Sequence, residues 1–188
     1  MYTISSDVEN TIIINKSKFI CCLIKINNVD DISYNLFLLK NKYSNATHYC
    51  YSYILKNIKG KSDDGEPSGT AGMPILNVLE NKKLDNILCV VIRYFGGIKL
   101  GAGGLVRAYT KAVTEALDKT EIKEIKECFK VTISFNYDNI KYVDNTFKDN
   151  IILDKSFNDK VFYTILVPIE DEDKILNFNI IKKENILF

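Results

Sequence analysis

All nine glycines of this 188-residue chain fall between positions 60 and 104. Glycine reaches backbone conformations closed to other residues and lets a second chain segment approach closely. The chain therefore needs special backbone geometry in its middle third. The flanking thirds, which hold no glycine, have to be plain strands and helices. The densest run is Arg93-Tyr94-Phe95-Gly96-Gly97-Ile98-Lys99-Leu100-Gly101-Ala102-Gly103-Gly104-Leu105-Val106-Arg107-Ala108-Tyr109. Residues 87–95, which lead into it, form a near-continuous apolar run, the pattern of a strand covered on both faces. The loop at 96–104 leads into an amphipathic stretch at 105–119. There Leu105, Tyr109, Ala112 and Ala116 share one helical face and Arg107, Lys111, Glu115 and Asp118 the other.

The remaining elements follow from the same periodicities. Residues 2–26 read as two strands, 11–14 and 19–26, around the turn Asn15-Lys16-Ser17. Asp30 or Asp31 can cap a helix running to about Tyr43, with Ile32, Leu36, Leu39 and Tyr43 on one side. Residues 46–55 alternate as a strand, with Tyr49, Tyr51 and Tyr53 on one face and His48, Cys50, Ser52 and Ile54 on the other. Residues 56–69 read as a loop, and a helix starts near 70–74, where Pro74 suits the first turn, and runs to about Lys82. The charge-rich stretch 119–130 predicts a domain boundary, giving domains at 1–120 and 129–188. In the second domain the order is strand (129–135), helix (139–149), strand (151–157), strand (161–168) and helix (171–181). That is a ferredoxin-like βαββα unit, with a short closing strand at 186–188. The fold class expected is α+β.

Composition narrows the setting. Hydrophobic residues make up 46% and charged residues 26%, so a packed core is expected. No uncharged apolar run approaches the roughly 20 residues of a membrane span, and the N-terminus lacks the basic start and apolar stretch of a secretory signal. The five cysteines, Cys21, Cys22, Cys50, Cys89 and Cys128, are odd in number and none are spaced as CxxC. They read as small buried hydrophobes in a reducing compartment, hence a cytoplasmic protein. A single histidine among scattered thiols does not make a zinc site, and no metal or cofactor is expected. Net charge is only +1, but its distribution is uneven: between Asn86 and Thr114 no acidic residue occurs, while Arg93, Lys99, Arg107 and Lys111 all do.

Three constellations can carry chemistry. In the glycine run, a folded backbone and a following helix N-terminus present N–H donors and partial positive charge, an anion-binding concavity. The candidate anion- or nucleic-acid-binding residues are Arg93, Gly96, Gly97, Lys99, Gly101, Gly103, Gly104, Arg107 and Lys111. Neither GxxxxGK[ST] nor GxGxxG is present, which favours a phosphate-backbone surface over a nucleotide pocket. The alternative is that the glycines only permit close packing. The second constellation is the loop Ser62-Asp63-Asp64-Gly65-Glu66-Pro67-Ser68-Gly69-Thr70-Ala71-Gly72. Asp63, Asp64 and Glu66 can hold Mg²⁺ or act as acid and base, or they can be a solvated turn or ion-pair partners for Arg93, Lys99 and Arg107. Thr70 and the N–H groups of Gly69 and Gly72 offer a second anion site at the start of the following helix, in the loop that also holds Ser68. The third is His48 with Cys50, two apart on one strand face, either a nucleophile pair or a packed histidine beside a buried thiol. Tyr49, Tyr51, Tyr53, Tyr94 and Phe95 can stack bases or fill the core. No residue is assigned a catalytic role.

Three blocks of the sequence resemble a known family: Ala46-Thr47-His48-Tyr49-Cys50, then Asp63 through Leu76, then Val91 through Tyr109, with Lys16-Ser17-Lys18-Phe19-Ile20 ahead of them. They look like the signature of the IMPACT family, bacterial YigZ branch, and cover residues 16–109. The resemblance implies an N-terminal α/β domain like domain IV of elongation factor G and a C-terminal ferredoxin-like domain like its domain V. It implies RNA or ribosome contact and a role in regulating translation, which in eukaryotic members runs through an amino-acid-starvation kinase pathway. Two other functions stay open at this point. One is an enzyme acting on a nucleotide or small phosphorylated ligand; the other is a module that docks on a translation-regulatory protein.

Overall fold

The structure is a computed structural model that describes residues 1–56 and 58–187, with Leu187 described by its backbone alone. The chain divides into two units, Met1–Glu124 and a second beginning at Ile125.

The first unit contains β1 (Tyr2–Ile4), β2 (Val8–Ile14), β3 (Ser17–Lys25), α1 (Asp30–Lys42), β4 (His48–Leu55), β5 (Ile58–Ser62), α2 (Gly72–Asn81), β6 (Ile87–Tyr94), α3 (Gly101–Leu117) and β7 (Ile122–Glu124). Five of the strands form one sheet in the order β2-β3-β6-β4-β5, and every pairing in it is antiparallel. β6 lies at the centre and is buried from Ile87 to Arg93 because both faces of the sheet are covered. On one face Cys21, Leu23, Cys89 and Val91 pack with Ile75 and Leu79 of α2 and with Tyr109 and Val113 of α3. On the other, Ile20, Cys22, Leu88, Val90 and Ile92 pack with Ile32 and Leu39 of α1, and the three strand tyrosines join them. Fully burying such an aliphatic side chain contributes about 1.5–3 kcal/mol, which is why the apolar run of β6 dictates a central strand.

Registers place the end of this sheet from which the glycine run leaves. Lys18 of β3 and His48 of β4 lie opposite Tyr94 and Arg93 of β6. The β2–β3 hairpin, the start of β4 and the exit of β6 therefore lie at the same end of the sheet, where the glycine run begins. The hairpin turns through Asn15 and Lys16, both with positive φ (46° and 64°), as a two-residue turn matched to strand twist requires.

Several expectations need correction. Residues 2–26 hold three strands, since β1 pairs with β7 in a separate two-stranded ribbon. The supposed loop 56–69 contains β5, an edge strand with no apolar alternation. α3 begins at Gly101, four residues before the first apolar position of its periodic face, so Gly103 and Gly104 lie in its first turn, while Gly101 opens it with a positive φ.

The second unit comprises β8 (Glu127–Phe135), a 3₁₀ turn at Tyr137–Asn139 leading into α4 (Ile140–Thr146), β9 (Ile151–Phe157), β10 (Val161–Pro168) and β11 (Asn179–Leu187). Its antiparallel sheet runs β11-β8-β10-β9, the ferredoxin-like order completed by a fourth strand. Val131, Ile133, Tyr163 and Ile165 face Val143, Phe147 and Ile175 in its core. The second helix expected at 171–181 is instead a 3₁₀ segment, Ile169–Ile175, broken by non-helical dihedrals at Asp171. Ile180 belongs to β11 and pairs with Ile133, so the closing strand starts well before 186. Phe188, the last residue of the closing strand read from sequence, lies outside the described residues. Among the described residues no helix is long and apolar enough to cross a membrane.

Candidate functional site

The loop between β5 and α2 folds around Asp63. Its carboxylate accepts hydrogen bonds from the backbone N–H groups of Gly69 (2.9 Å), Ala71 (3.0 Å) and Gly72 (2.8 Å). Two of these amides, Gly69 and Gly72, are the ones that the sequence offered to an external anion; Asp63 occupies them. Burial alone would raise the Asp63 carboxyl, but the amides of Gly69, Gly72 and Ala71 outweigh it and hold the group below the usual carboxylate range. A depressed folded value means that this stabilisation is fully present above the unfolded carboxylate range near pH 4 and is lost as pH falls through the lower folded value. Substituting Asp63→Asn is expected to lower stability at neutral pH and to flatten its fall below about pH 4. Urea unfolding across that range checks both, and an unchanged acid limb would refute the role given to Asp63. The rest of the loop is also tied down. Thr70 Oγ1 donates to the Pro67 carbonyl at 2.6 Å, while Ser68 is exposed.

Asp64 and Glu66 diverge from Asp63. Asp64 accepts from the Tyr49 N–H at 2.6 Å, and its carbonyl oxygen lies 2.8 Å from His48 Nδ1, which fixes the proton on that nitrogen. Glu66 turns inward. Its Oε1 accepts from Arg93 (2.6 Å) and from the Tyr109 hydroxyl (2.9 Å), and its Oε2 lies 3.9 Å from His48 Nε2. The three carboxylates therefore serve three different sets of donors in the chain. Among the described residues no cluster of metal-ligating side chains occurs.

Arg93 is corrected from a surface cation to a buried one. It is 4% exposed, its guanidinium lies between the rings of Phe19 (5.3 Å) and Phe95 (5.5 Å), and its second terminal nitrogen reaches Ser17 Oγ at 3.3 Å. Cys50 belongs to the same buried network. Its thiol donates to the Asp63 carbonyl at 2.9 Å and lies 3.2 Å from the Tyr109 hydroxyl. Burial pushes this thiol up to about 12, with the Tyr109 hydroxyl opposing and the carboxylates of Glu66, Asp64 and Asp63 adding to the rise. A thiol so held is protonated and is no nucleophile. His48 bonds to Asp64 and faces Glu66, so His48 and Cys50 do not form a reactive pair.

The exit of β6 is pinned differently. Phe95 N–H donates to Thr47 Oγ1 (3.0 Å) and Gly96 N–H to Ser17 Oγ (3.1 Å). Beyond Gly96 the loop opens. Gly97 and Gly101 have positive φ (83° and 69°), and Lys99, Ala102 and Gly103 are exposed. No side chain caps the N-terminus of α3. Arg107, exposed, folds back one turn, so that its guanidinium would meet a Cβ on Gly103 at 3.6 Å. No ion pair among the described residues includes Lys99 or Arg107, while Lys111 pairs with Glu115 at 3.6 Å. The structure thus keeps Lys99, Arg107 and the Gly97–Gly103 backbone at the surface, and withdraws Arg93 and the amide of Gly96.

Ser17, Thr47 and Tyr109 are hydrogen-bonding parts of this region that the sequence reading did not single out. Tyr109 was legible only as a core position, although a buried tyrosine hydroxyl demands a partner and so hints at a polar network.

Comparison with known proteins matches this region. The model for the Impact N-terminal domain matches residues 15–117. The Bacillus subtilis IMPACT family member YvyE is 39% identical over 160 residues, spanning 84% of this chain and 74% of that one. The Escherichia coli IMPACT family member YigZ is 35% identical over 129 residues, spanning 66% of this chain and 63% of its own. A crystal structure described as that of a hypothetical protein superposes with a TM-score of 0.62 at 28% identity, over 90% of this chain and 85% of that one. The matched domain runs from the β2–β3 turn to the end of α3 and so takes in Ser17, the Asp63 loop, the buried Arg93 network and the open glycine turn: the chain belongs to the IMPACT family.

Proposed function

We propose that the protein is a non-enzymatic RNA- or ribosome-binding factor acting in the regulation of translation, and that it works in the cytoplasm. The observation that carries this reading is the exposed turn from Gly97 to Arg107. It combines two cations without ion-pair partners among the described residues, an uncapped helix N-terminus and a stretch of sequence free of acidic residues. Uncapped N–H groups and the helix dipole favour phosphate oxygens, and Arg107 can meet a phosphate with two parallel donors. Membership of the IMPACT family supports the link to translation. Five unpaired thiols support a reducing compartment. An enzyme built on the Asp63 loop is less well supported, because its carboxylates point to separate partners within the chain rather than into a common pocket.

Binding of this kind is salt-dependent. If Lys99 and Arg107 together neutralise about two phosphates on a single strand, the log–log salt slope is about −1.4. Affinity then falls roughly 7-fold between about 50 and about 200 mM salt. The double substitution Lys99→Glu with Arg107→Glu is expected to weaken binding and abolish most of that slope. Filter binding to RNA and co-sedimentation with ribosomes at the two salt levels test this. Association that is absent, or indifferent to salt, would overturn the reading.

A further inference from the structure

We infer that Phe95 is a stacking platform for an unpaired base of single-stranded RNA, whose flanking phosphates lie on Lys99 and Arg107; this rests on the RNA-binding reading of the same surface. Phe95 follows directly on the most buried strand of the unit, yet 46% of its surface is open. A single exposed apolar side chain is ordinary, but this one is held in place. Its N–H is bonded to Thr47 Oγ1, and its ring rests on the Arg93 guanidinium at 5.5 Å. That guanidinium is itself buried, bonded to Glu66 and Ser17 and close to the Phe19 ring. The result is an aromatic ring with one side seated on a fixed cation and much of its surface facing solvent. A ring already ordered loses little freedom when a planar partner stacks on it.

The surroundings select the partner. Ile98 and Val106 are also exposed, at 44% and 37%, so the turn offers apolar contact beside its cations. Lys99 lies four positions after Phe95, a backbone reach of at most about 14 Å. An apolar peptide would cover Phe95 but leave Lys99, Arg107 and the N–H groups at the start of α3 without a counter-charge. A nucleotide supplies a flat π-face and an anion together. In a duplex the base faces are already stacked on one another, so the strand has to be single. Because every base has such a face, the site should tolerate sequence.

The chain contains no tryptophan, which gives a direct probe. In Phe95→Trp the only indole sits at the platform. Its emission is expected to be quenched saturably by oligouridylate and by oligoadenylate of equal length, and left unchanged by inorganic polyphosphate, which occupies the cations but has no base. Phe95→Leu, which keeps apolar bulk without a π-face, is expected to bind the oligonucleotides about 10-fold more weakly and polyphosphate as well as the unaltered protein does. Thermal unfolding of both variants checks that they fold; should the leucine variant fail, the tryptophan emission decides alone. Unquenched emission with RNA bound, or equal RNA affinity in Phe95→Leu, overturns the stacking role and leaves the electrostatic reading intact. If neither RNA nor polyphosphate binds the unaltered protein, both fall.

Discussion

Replacing Glu66 by alanine is expected to destabilise the protein by about 3–5 kcal/mol, because it leaves the Arg93 charge buried without its carboxylate. The side chains of both residues are almost fully enclosed, at 3% and 5% exposed. Taking a guanidinium out of water costs several kcal/mol, and Glu66 Oε1 at 2.6 Å is the group that offsets it. Ser17 Oγ is a second, neutral acceptor and cannot replace the charge. Arg93 Nε already lacks a partner among the described residues, so no spare hydrogen bonding is at hand. Glu66 also accepts from Tyr109, and Tyr109→Phe should cost only about 1 kcal/mol, the usual value of one hydrogen bond. A companion substitution separates the loss of charge from the loss of packing. Adding Arg93→Met to Glu66→Ala removes the stranded charge and should recover much of the stability, since apolar replacements of a buried pair are often neutral. Urea unfolding followed by circular dichroism measures all of these. A loss below about 1 kcal/mol for Glu66→Ala, or a double variant weaker than the single one, would show that Glu66 does not sustain Arg93.

Much of the frame was legible from periodicity, and the parts that were not share a cause. β6 and the buried face of α3 are local patterns: an apolar run too dense for a half-exposed strand, and apolar residues at helical spacing. β5 has no such pattern. Ile58-Lys59-Gly60-Lys61-Ser62 becomes a strand because it pairs along β4, and nothing within the segment announces that. The start of α3 was hidden by Gly101, Gly103 and Gly104, since glycine disfavours helix by about 1 kcal/mol each. The site shows the same division. Charge and glycine content identified the exposed turn, and Lys99 and Arg107 do lie on its surface. Which carboxylate meets which cation was not legible, because Glu66 and Arg93 lie 27 positions apart and Glu66 and Tyr109 lie 43 apart. Sequence named the acidic loop and the arginine, but only the sheet register, with His48 opposite Arg93, brings that loop over β6.

Gly96→Ala is expected to be the most damaging of the single glycine substitutions, with a loss of at least about 3 kcal/mol from overpacking and broken hydrogen bonds together. A Cβ at this position would lie 2.0 Å from the Lys16 carbonyl carbon, 2.2 Å from its oxygen and 2.4 Å from the Ser17 nitrogen. All three are backbone atoms of the β2–β3 hairpin, so no side chain can swing aside to make room. Either the hairpin or the strand exit has to move. Both are joined through Ser17 Oγ, which accepts from Gly96 N–H and from Arg93. A shift that relieves the clash therefore also weakens the anchor of the buried guanidinium. Gly97→Ala is the control. It has φ +83° with nothing within 4 Å of an added Cβ, so only backbone strain of about 1–2 kcal/mol is expected. If urea unfolding finds Gly96→Ala no worse than Gly97→Ala, the close approach of the hairpin is not what position 96 requires. If the difference holds, the glycine run divides by purpose. Gly96 is there for contact within the fold, and Gly97, with room around it, is there for the shape of the surface.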